Sequence, residues 1–445
     1  MRSLVSIFVL LALTLPAAAQ GGNKIFPYKY STDDLPNGLR LITVPTDYPN
    51  LVSLYIVVQT GSRNEVEPGK SGFAHLFEHL MFRGTEKYSA EAYNEIFKNA
   101  GADTNAYTSD DRTVYHATFS KEDLDRIMMV EADRFQNLKV PEELFKTETR
   151  AVLGEYNKNA TNPINKLFEV LRDTAYQSHT YKHTTMGFLR DVENMPNQYD
   201  YSLEFFRRYY RPEYTTIIIT GDVKREDALA MTKKYWSAWT RGEYKPPIPK
   251  EAEQTKELTA HVDWPSPTLP WVAVAYKGPA YSDEQKDMPS MDLISNVGFS
   301  QNSELYQRLV IKEQKVDALF AAFEDHVDPY LLTVMARVKD PKDIDYVRQE
   351  IIKTFDSFKT TEVSKEKLEA VKSNLKYTFA LTMDNSQAIA ATLAPYVALR
   401  RTPETINKLF DVYASITPED IQQMAGKYFV EKHRTVVTLA NKEKM

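Results

Sequence analysis

The chain has 445 residues, of which 42% are hydrophobic and 26% charged, as in a folded globular protein with room for two or three domains. Acidic residues outnumber basic ones by 61 to 55, so nucleic acid, which binds to basic surfaces, is not an expected partner. The chain contains no cysteine, and its stability therefore gains nothing from disulfide bonds.

Residues 1–19 are typical of a secretory signal peptide. Arg2 supplies a positive charge, an apolar stretch runs from Leu4 to Leu15, and residues 17–19 provide the small side chains of a cleavage site. The stretch is too short for a membrane-spanning helix, and no later apolar run is long enough for a membrane anchor. We therefore predict an exported protein, with the bacterial periplasm as the simplest compartment.

The next 200 or so residues alternate between predicted strands and helices. The β-branched stretches 51–60 and 214–220 indicate strands, and residues 113–119 alternate between apolar and polar side chains in the same way. Residues 141–158 open with Val-Pro-Glu-Glu, a typical helix start with acids at its positive end. This mixture predicts an α+β fold.

An internal repeat divides the chain into two copies. Residues 135–155 align without gaps with residues 358–378 at an offset of 223, and residues 208–217 align with residues 427–436 at an offset of 219. Repetition at a fixed offset indicates a duplicated structural unit. We predict two duplicated domains, each a mostly antiparallel sheet with helices packed on one face.

The polar stretch between the copies, rich in proline and lysine, sets the predicted boundaries. They are a signal peptide at 1–19, an N-terminal domain at 20–245, a linker at 246–258 and a C-terminal domain at 259–445.

The sequence HLFEH at residues 75–79 carries the clearest chemical signal. His75 and His79 are four residues apart and Glu78 lies three after His75, so a helix places all three on one face. Two such imidazoles suit zinc, and a catalytic zinc needs a third protein ligand and an open position for water. Glu78 is poorly placed to be that ligand and better placed to take a proton from the water.

The third ligand must come from a distant part of the chain. Glu148 and Glu155 are seven residues apart on the helix predicted at 141–158, so they lie two turns apart on one face. Either carboxylate could complete the zinc site.

Residues 72–85, GFAHLFEHLMFRGT, resemble the active-site helix of the pitrilysin-type zinc peptidases, whose pattern is H-x-x-E-H. This family includes mitochondrial processing peptidase and insulin-degrading enzyme, and its members have duplicated α+β halves. Glu155 follows His79 by 76 residues, as the third ligand does in the family. The resemblance implies one Zn²⁺ per chain held by His75, His79 and Glu155, with Glu148 as a supporting acid beside the ligands.

The resemblance also implies a reaction and a substrate. Glu78 would be the general base in the hydrolysis of peptide bonds by a zinc-activated water. Residues 105–108, NAYT, resemble the family's substrate-binding edge strand. Unfolded or short peptides would lie extended at Asn105 and Ala106, adding a strand to the sheet.

One departure from the family concerns its second half, where active members carry an arginine and a tyrosine seven residues apart. In residues 303–318 the matching positions are Val310 and Asp317. Arg308 lies nearby, but residue 315 is lysine. We therefore expect a dimer, in which this chain is the zinc-bearing subunit and a zinc-less homologue supplies the Arg/Tyr pair.

Two other interpretations compete with a peptidase. One is a non-catalytic structural or assembly subunit of the same fold, and the other is a peptide-binding protein that keeps zinc for stability. The complete set of His75, Glu78, His79 and Glu155 favours catalysis. His179 and His183 also have metal-like spacing, but they lack an evident acid partner, and His326 is isolated, so we assign none of them a site.

Overall fold

The computed structural model describes residues 24–441, so the predicted signal peptide at 1–19 lies outside the described residues. The strands are β1 (Ser31–Asp34), β2 (Arg40–Pro45), β3 (Leu51–Val58), β4 (Asp103–Thr108), β5 (Thr113–Ser120), β6 (Thr215–Gly221), β7 (Leu258–Trp264), β8 (Trp271–Lys277), β9 (Val316–Phe323), β10 (Leu331–Val338) and β11 (Arg434–Asn441).

The helices of the first half are α1 (Phe73–Leu80), α2 (Ala90–Asn99), α3 (Leu124–Asn137), α4 (Glu142–Asn159), α5 (Pro163–Ala175), α6 (Leu189–Asn194), α7 (Tyr199–Tyr209) and α8 (Arg225–Trp236). Those of the second half are α9 (Asp287–Phe299), α10 (Glu304–Tyr306), α11 (Ile344–Thr360), α12 (Lys365–Leu381), α13 (Ser386–Arg400), α14 (Glu404–Ser415) and α15 (Pro418–Tyr428). A π-helical segment, Gln307–Lys312, follows α10.

Each half is built on one sheet, and the two sheets have matching strand orders. The first sheet runs β1-β2-β6-β3-β5-β4 and the second β7-β11-β8-β10-β9. In each sheet one pair is parallel, β2 with β6 and β7 with β11, and the other pairs are antiparallel. The predicted α+β fold with two duplicated, mostly antiparallel sheets is confirmed.

The helices repeat with the offsets found in the sequence. α4 and α12 begin 223 residues apart, and β6 and β11 begin 219 residues apart. Because both copies keep the same order of elements, the cleft that α1 and α4 form in the first half has a structural counterpart at α9 and α12.

The two halves exchange a helix across their interface. α13, from the second half, packs on β3 and β6 and buries Ile389, Leu393 and Val397 against the first sheet. α5, from the first half, packs on β7, β8 and β11 and buries Leu167 and Leu171. The helices of each half cover one face of its sheet, and the other half supplies the cover for the opposite face.

The predicted linker, residues 246–258, lies between α8 and β7 and ends at the first residue of β7. Both halves hold it in place. The Glu251 carboxylate accepts the backbone N–H groups of Gln177, Ser178 and His179 at 2.9–3.0 Å, and Lys277 of β8 lies 3.5 Å from it. None of the helices between residues 24 and 441 is long and apolar enough to cross a membrane.

Candidate metal centre

The helix α1 is fixed at its N-terminus by a buried carboxylate. Glu65 is 3% exposed, and its two oxygens accept the backbone N–H groups of Gly72 and Ala74, each at 2.7 Å. A carboxylate at this end of a helix satisfies free amides and complements the helix dipole. The position and direction of α1 are therefore set by a residue outside the helix.

α1 and α4 pack against each other and bring three potential metal ligands together. The Nε2 atoms of His75 and His79 lie 3.6 and 3.5 Å from Oε2 of Glu155. One ligand atom from each residue lies within 4.8 Å of the others, and within residues 24–441 no other group of this kind occurs. The two histidines are four residues apart on α1, and Glu155 lies on the face of α4 that packs against α1, so the three side chains meet.

The chemistry of these donors fits zinc. Two imidazoles and one carboxylate are a common ligand set of catalytic zinc sites. His75 is buried, and burial lowers its pKa although the nearby Glu78 carboxylate acts to raise it. The lowered pKa favours the neutral imidazole, which is the form that binds a metal. His79 and Glu155 are only half-buried, so one side of the cluster faces the cleft.

Glu148 lies behind the cluster, on the face of α4 that also carries Glu155. It is 4% exposed, and its Oε1 is ion-paired with Nε of Arg83 at 2.9 Å. Its Oε2 lies 3.9 Å from Nδ1 of His79 and has no hydrogen-bond partner among the described residues. A buried carboxylate in this position can orient a ligand histidine, as is usual around metal sites.

Glu78 faces the same cleft and is held by a contact that the sequence did not predict. Oγ1 of Thr108, the last residue of β4, donates a hydrogen bond of 2.7 Å to Oε2 of Glu78. His75, Glu78 and Glu155 line one cavity of about 480 Å³ together with Tyr107 and Thr108. The candidate base and two of the three candidate metal ligands therefore share a single solvent-connected space.

The predicted substrate strand is the edge strand of the first sheet. β4 pairs with β5 on one side and stands last in the strand order. Asn105 is exposed and Ala106 is 7% exposed, and the Ala106 amide donates to the Asn105 side chain at 2.9 Å. Neither residue lines the cavity, which begins at Tyr107.

The second half places no arginine–tyrosine pair at the positions that the resemblance indicated. Val310 lies in the π-helical segment, partly buried against the second core, and Asp317 on β9 is ion-paired with Arg337. The neighbouring cations are also engaged, because Arg308 pairs with Glu350 at 2.5 Å and Lys315 pairs with Asp343 at 2.6 Å.

Family profiles match both halves of the molecule. The profile described as Insulinase (Peptidase family M16) matches residues 40–188, which include α1, β4 and α4. The profile described as Peptidase M16 inactive domain matches residues 198–375. The chain belongs to peptidase family M16. The join between the two profiles falls before β6, so it does not coincide with the predicted linker, whose boundaries stay a prediction.

Several relatives of this M16 chain match over almost its whole length. The zinc protease PqqE of Helicobacter pylori is 28% identical over 444 residues, 98% of each chain. The probable mitochondrial-processing peptidase subunit beta of Schizosaccharomyces pombe is 24% identical over 430 residues, 93% of this chain and 92% of that one. The crystal structure of a protease from Helicobacter pylori superposes with a TM-score of 0.87 at 28% identity, covering 93% of this chain and 99% of that one.

Three residues that hold the site from outside were not predicted from the sequence. Glu65 accepts hydrogen bonds from amides at the start of α1, and Arg83 is ion-paired with Glu148. Thr108 donates a hydrogen bond to Glu78. Arg83 lies three residues beyond the end of α1, so helical spacing does not predict its contact with Glu148. Glu65 and Thr108 lie on segments that reach α1 only in the folded chain, and no local pattern indicates the contacts that they make there.

Proposed function

We propose that this chain is an exported zinc metalloendopeptidase that hydrolyses peptide bonds in unfolded or short peptides. The observation that carries the proposal is the convergence of His75, His79 and Glu155 within 4.8 Å beside Glu78. A structural subunit has no use for this arrangement, because the Glu78 and Glu155 carboxylates line one cavity and repel each other unless a cation lies between them.

Each residue of the cleft has one task in the proposed reaction. His75, His79 and Glu155 hold zinc, which when bound supplies the positive charge that activates a water and polarises the scissile carbonyl. Glu78 takes the proton of the attacking water and passes it to the leaving amine. Thr108 holds the Glu78 carboxylate towards the cleft, and Glu148 orients His79.

The substrate would dock on β4 as an added strand. The free edge of this strand offers backbone groups for pairing, and its last two residues reach the cavity that holds Glu78. Backbone pairing at Asn105 and Ala106 reads an extended shape rather than a particular sequence. This mode of binding suits unfolded or short peptides.

A partner subunit completes the proposed enzyme. Val310 and Asp317 cannot provide the charge and hydrogen bond of an arginine and a tyrosine, and Arg308 and Lys315 are held by Glu350 and Asp343. We propose a dimer with a zinc-less homologue that brings the Arg/Tyr pair. Export to the periplasm is proposed from residues 1–19 alone.

The first test is cleavage of an unstructured peptide by the zinc-loaded chain from residue 20, assayed alone and with a zinc-less homologue encoded in the same genome. Glu78→Gln should lower turnover by about 10²–10⁴-fold, the usual contribution of a general base, without loss of zinc. The control is Thr104→Val on β4, because the Thr104 hydroxyl donates a hydrogen bond to the His116 carbonyl and does not contact Glu78.

The outcomes separate the candidate functions. Turnover that needs the homologue and Glu78 supports the whole proposal. Turnover by the chain alone, unaffected by any homologue, removes the partner and keeps the peptidase. Zinc binding without turnover under either condition would leave a peptide-binding or assembly subunit and end the proposal of catalysis.

A further inference from the structure

A loop of the second half reaches the end of the substrate strand. This loop, residues 324–330, joins β9 to β10. Nδ1 of His326 lies 3.1 Å from Oδ2 of Asp111, and the backbone N–H of Val327 donates to the same oxygen at 3.1 Å. Asp111 belongs to the tight turn Ser109–Arg112 that joins β4 to β5, directly after Thr108.

The same turn contacts residues 61–63, which lead directly to Glu65, the residue whose carboxylate caps the N-terminus of α1. The backbone N–H of Arg63 donates to the Asp110 carbonyl at 2.8 Å, and Oγ of Ser62 donates to its carboxylate at 2.7 Å. The turn sits directly on Gly61, where a β-carbon would lie 2.1 Å from the Ser109 carbonyl oxygen. Glu65, which fixes the start of α1, follows this segment.

The charges around His326 balance only when it is protonated. Asp110 and Asp111 are 7% and 5% exposed, and Asp110 is paired with Arg172 at 2.7 Å. His326 is itself 6% exposed and lies 3.1 Å from Asp111 and 3.9 Å from Asp110. Arg63 lies 3.8 Å from Asp111 but also pairs with Asp328, so two arginines face three carboxylates. An unpaired buried charge is strongly unfavourable.

Further contacts hold the His326 ring in one orientation. The ring stacks on Tyr330 with 3.6 Å between ring centroids, and the Tyr281 amide donates to the His326 carbonyl at 2.8 Å. Asp328 in the same loop accepts Nε2 of His179 at 3.0 Å and pairs with Arg63. The loop is therefore rigid where it meets the turn.

We infer that His326 is a positioning residue for the proposed base Glu78, acting through Asp111, the 109–112 turn and Thr108. The inference rests on the proposed function. The loop of the half that lacks metal ligands would thus fix two features of the other half: the rotamer of Glu78, through Thr108, and the start of α1, through residues 61–65. This assigns the second half a direct part in the geometry of the reaction.

The test compares His326→Gln and Asp111→Asn, singly and together, in whichever form of the enzyme turns over. We expect kcat to fall about tenfold with KM within about twofold, because a misplaced base weakens the transition state more than substrate binding. The double variant should lose no more than the stronger single variant, because the two residues act as one unit. Zinc content should not change.

Hydrogen exchange gives a readout that does not depend on activity. His326→Gln should speed exchange of the amides in residues 103–112 and leave β7 and β11 unchanged. Two controls accompany it. His261→Gln alters a partly exposed histidine on β7, and Arg401→Gln breaks a different contact between the halves, at the Gly38 and Glu213 carbonyls.

The results decide the inference in either direction. A kcat loss specific to His326 and Asp111, with faster exchange in residues 103–112, supports it. An equal kcat loss in Arg401→Gln would show a general effect of loosened halves and overturn it, as would unchanged exchange in His326→Gln. If no form turns over peptide, the proposed function fails, and exchange alone decides whether the loop fixes the turn. If His326→Gln does not fold, hydrogen exchange in residues 103–112 is measured on Asp111→Asn instead.

Discussion

The two halves of the chain share one fold and differ in chemistry. In the first half α4 carries Glu148 and Glu155 towards α1, whereas α12 carries Val371 and Thr378 at the equivalent positions of the second. α9, which occupies the place of α1, contains no histidine. The second half adopts the same fold without these side chains, so the fold does not require the candidate metal ligands of the first half.

The cavities of the two halves show the same contrast. The second half has a cavity of about 1030 Å³ between α9, α11 and α12, larger than the one beside α1. Its buried carboxylate, Glu350, is paired with both Arg308 and Lys353. In the first half Glu148 keeps one oxygen without a hydrogen bond, and His75 keeps Nδ1 without one, within the described part of the chain. Unpaired buried polar atoms are typical of functional sites.

The contrast between the halves is sharpest at position 155. Glu155→Ala removes one of three ligands, so bound zinc should be lost and turnover should fall to the level of Glu78→Gln. Thr378→Ala, the matching change on α12, should alter neither, because Thr378 is exposed and has no ligand role. Metal analysis and peptide cleavage measure both. Retention of zinc by Glu155→Ala would show that another residue completes the site.

The exchanged helices test whether the halves are energetically independent. Leu393→Ala on α13 and Leu171→Ala on α5 each remove a fully buried side chain and should lower the free energy of unfolding by about 2–5 kcal/mol. Leu381→Ala, at a 60% exposed position, should change it by less than about 0.5 kcal/mol. Because α13 covers the first sheet, Leu393→Ala should also speed hydrogen exchange in β3 and β6. Faster hydrogen exchange confined to the second half would contradict the packing of α13 on the first sheet.

The contact between the halves should respond to pH through His326. Burial lowers the pKa of His326, but the hydrogen bond to Asp111 and the nearby carboxylates of Glu324 and Asp110 outweigh burial and raise the pKa to about 9. The charged and titratable groups around the ring are Asp110, Asp111, Glu324, Asp325, Arg63, Arg172, Tyr181 and Tyr330.

The raised pKa sets the direction of the effect. Since the unfolded pKa is about 6.5, this stabilisation is complete below that pH and is lost as pH rises through about 9. The loss should be at most about 3.5 kcal/mol, because the pKa rises from 6.5 to about 9 and one pKa unit corresponds to about 1.4 kcal/mol. Denaturant unfolding between pH 6 and pH 10 measures it, with His326→Gln as the control that lacks this step. Equal pH dependence in both proteins would exclude a charged His326.

The smallest expected effect concerns Thr108. Thr108→Val removes the hydrogen bond to Glu78 and keeps the shape of the side chain, so kcat should fall about tenfold, the value of one hydrogen bond to a charged group. KM and zinc content should stay near wild type, and Thr104→Val should behave as wild type. A change in KM alone would assign Thr108 to substrate binding instead.

Much of the fold was predictable because it follows local patterns. The offsets of 223 and 219 anticipated α12 and β11, and the predicted helix at 141–158 corresponds to α4, which begins one residue later. The spacing of His75, Glu78 and His79 is enough to place three side chains on one face of α1, since residues three and four apart on a helix are neighbours. The signal peptide falls outside residues 24–441, and the roles of the site residues stay predictions.

Other features could not be predicted, because they join residues far apart in the chain. His179 and His183 lacked an evident acid in the sequence, yet the fold places Asp328 beside the first and Glu65 beside the second. His326, which appeared isolated, lies in a buried charged network with Asp111, 215 residues away. No local period relates such residues.

The sequence by itself determined the duplication, the elements of each copy and the set of candidate metal-binding side chains, because these depend on the periods of helices and strands and on residue type. Residue spacing left both Glu148 and Glu155 open as the third ligand, and the tertiary structure places Glu155 beside the two histidines. The tertiary structure alone decided which hydroxyl holds Glu78 and which loop contacts the turn after β4. These contacts arise when two halves exchange helices and bury charges against each other, and burial of a charge depends on the whole packed interface rather than on neighbours in sequence.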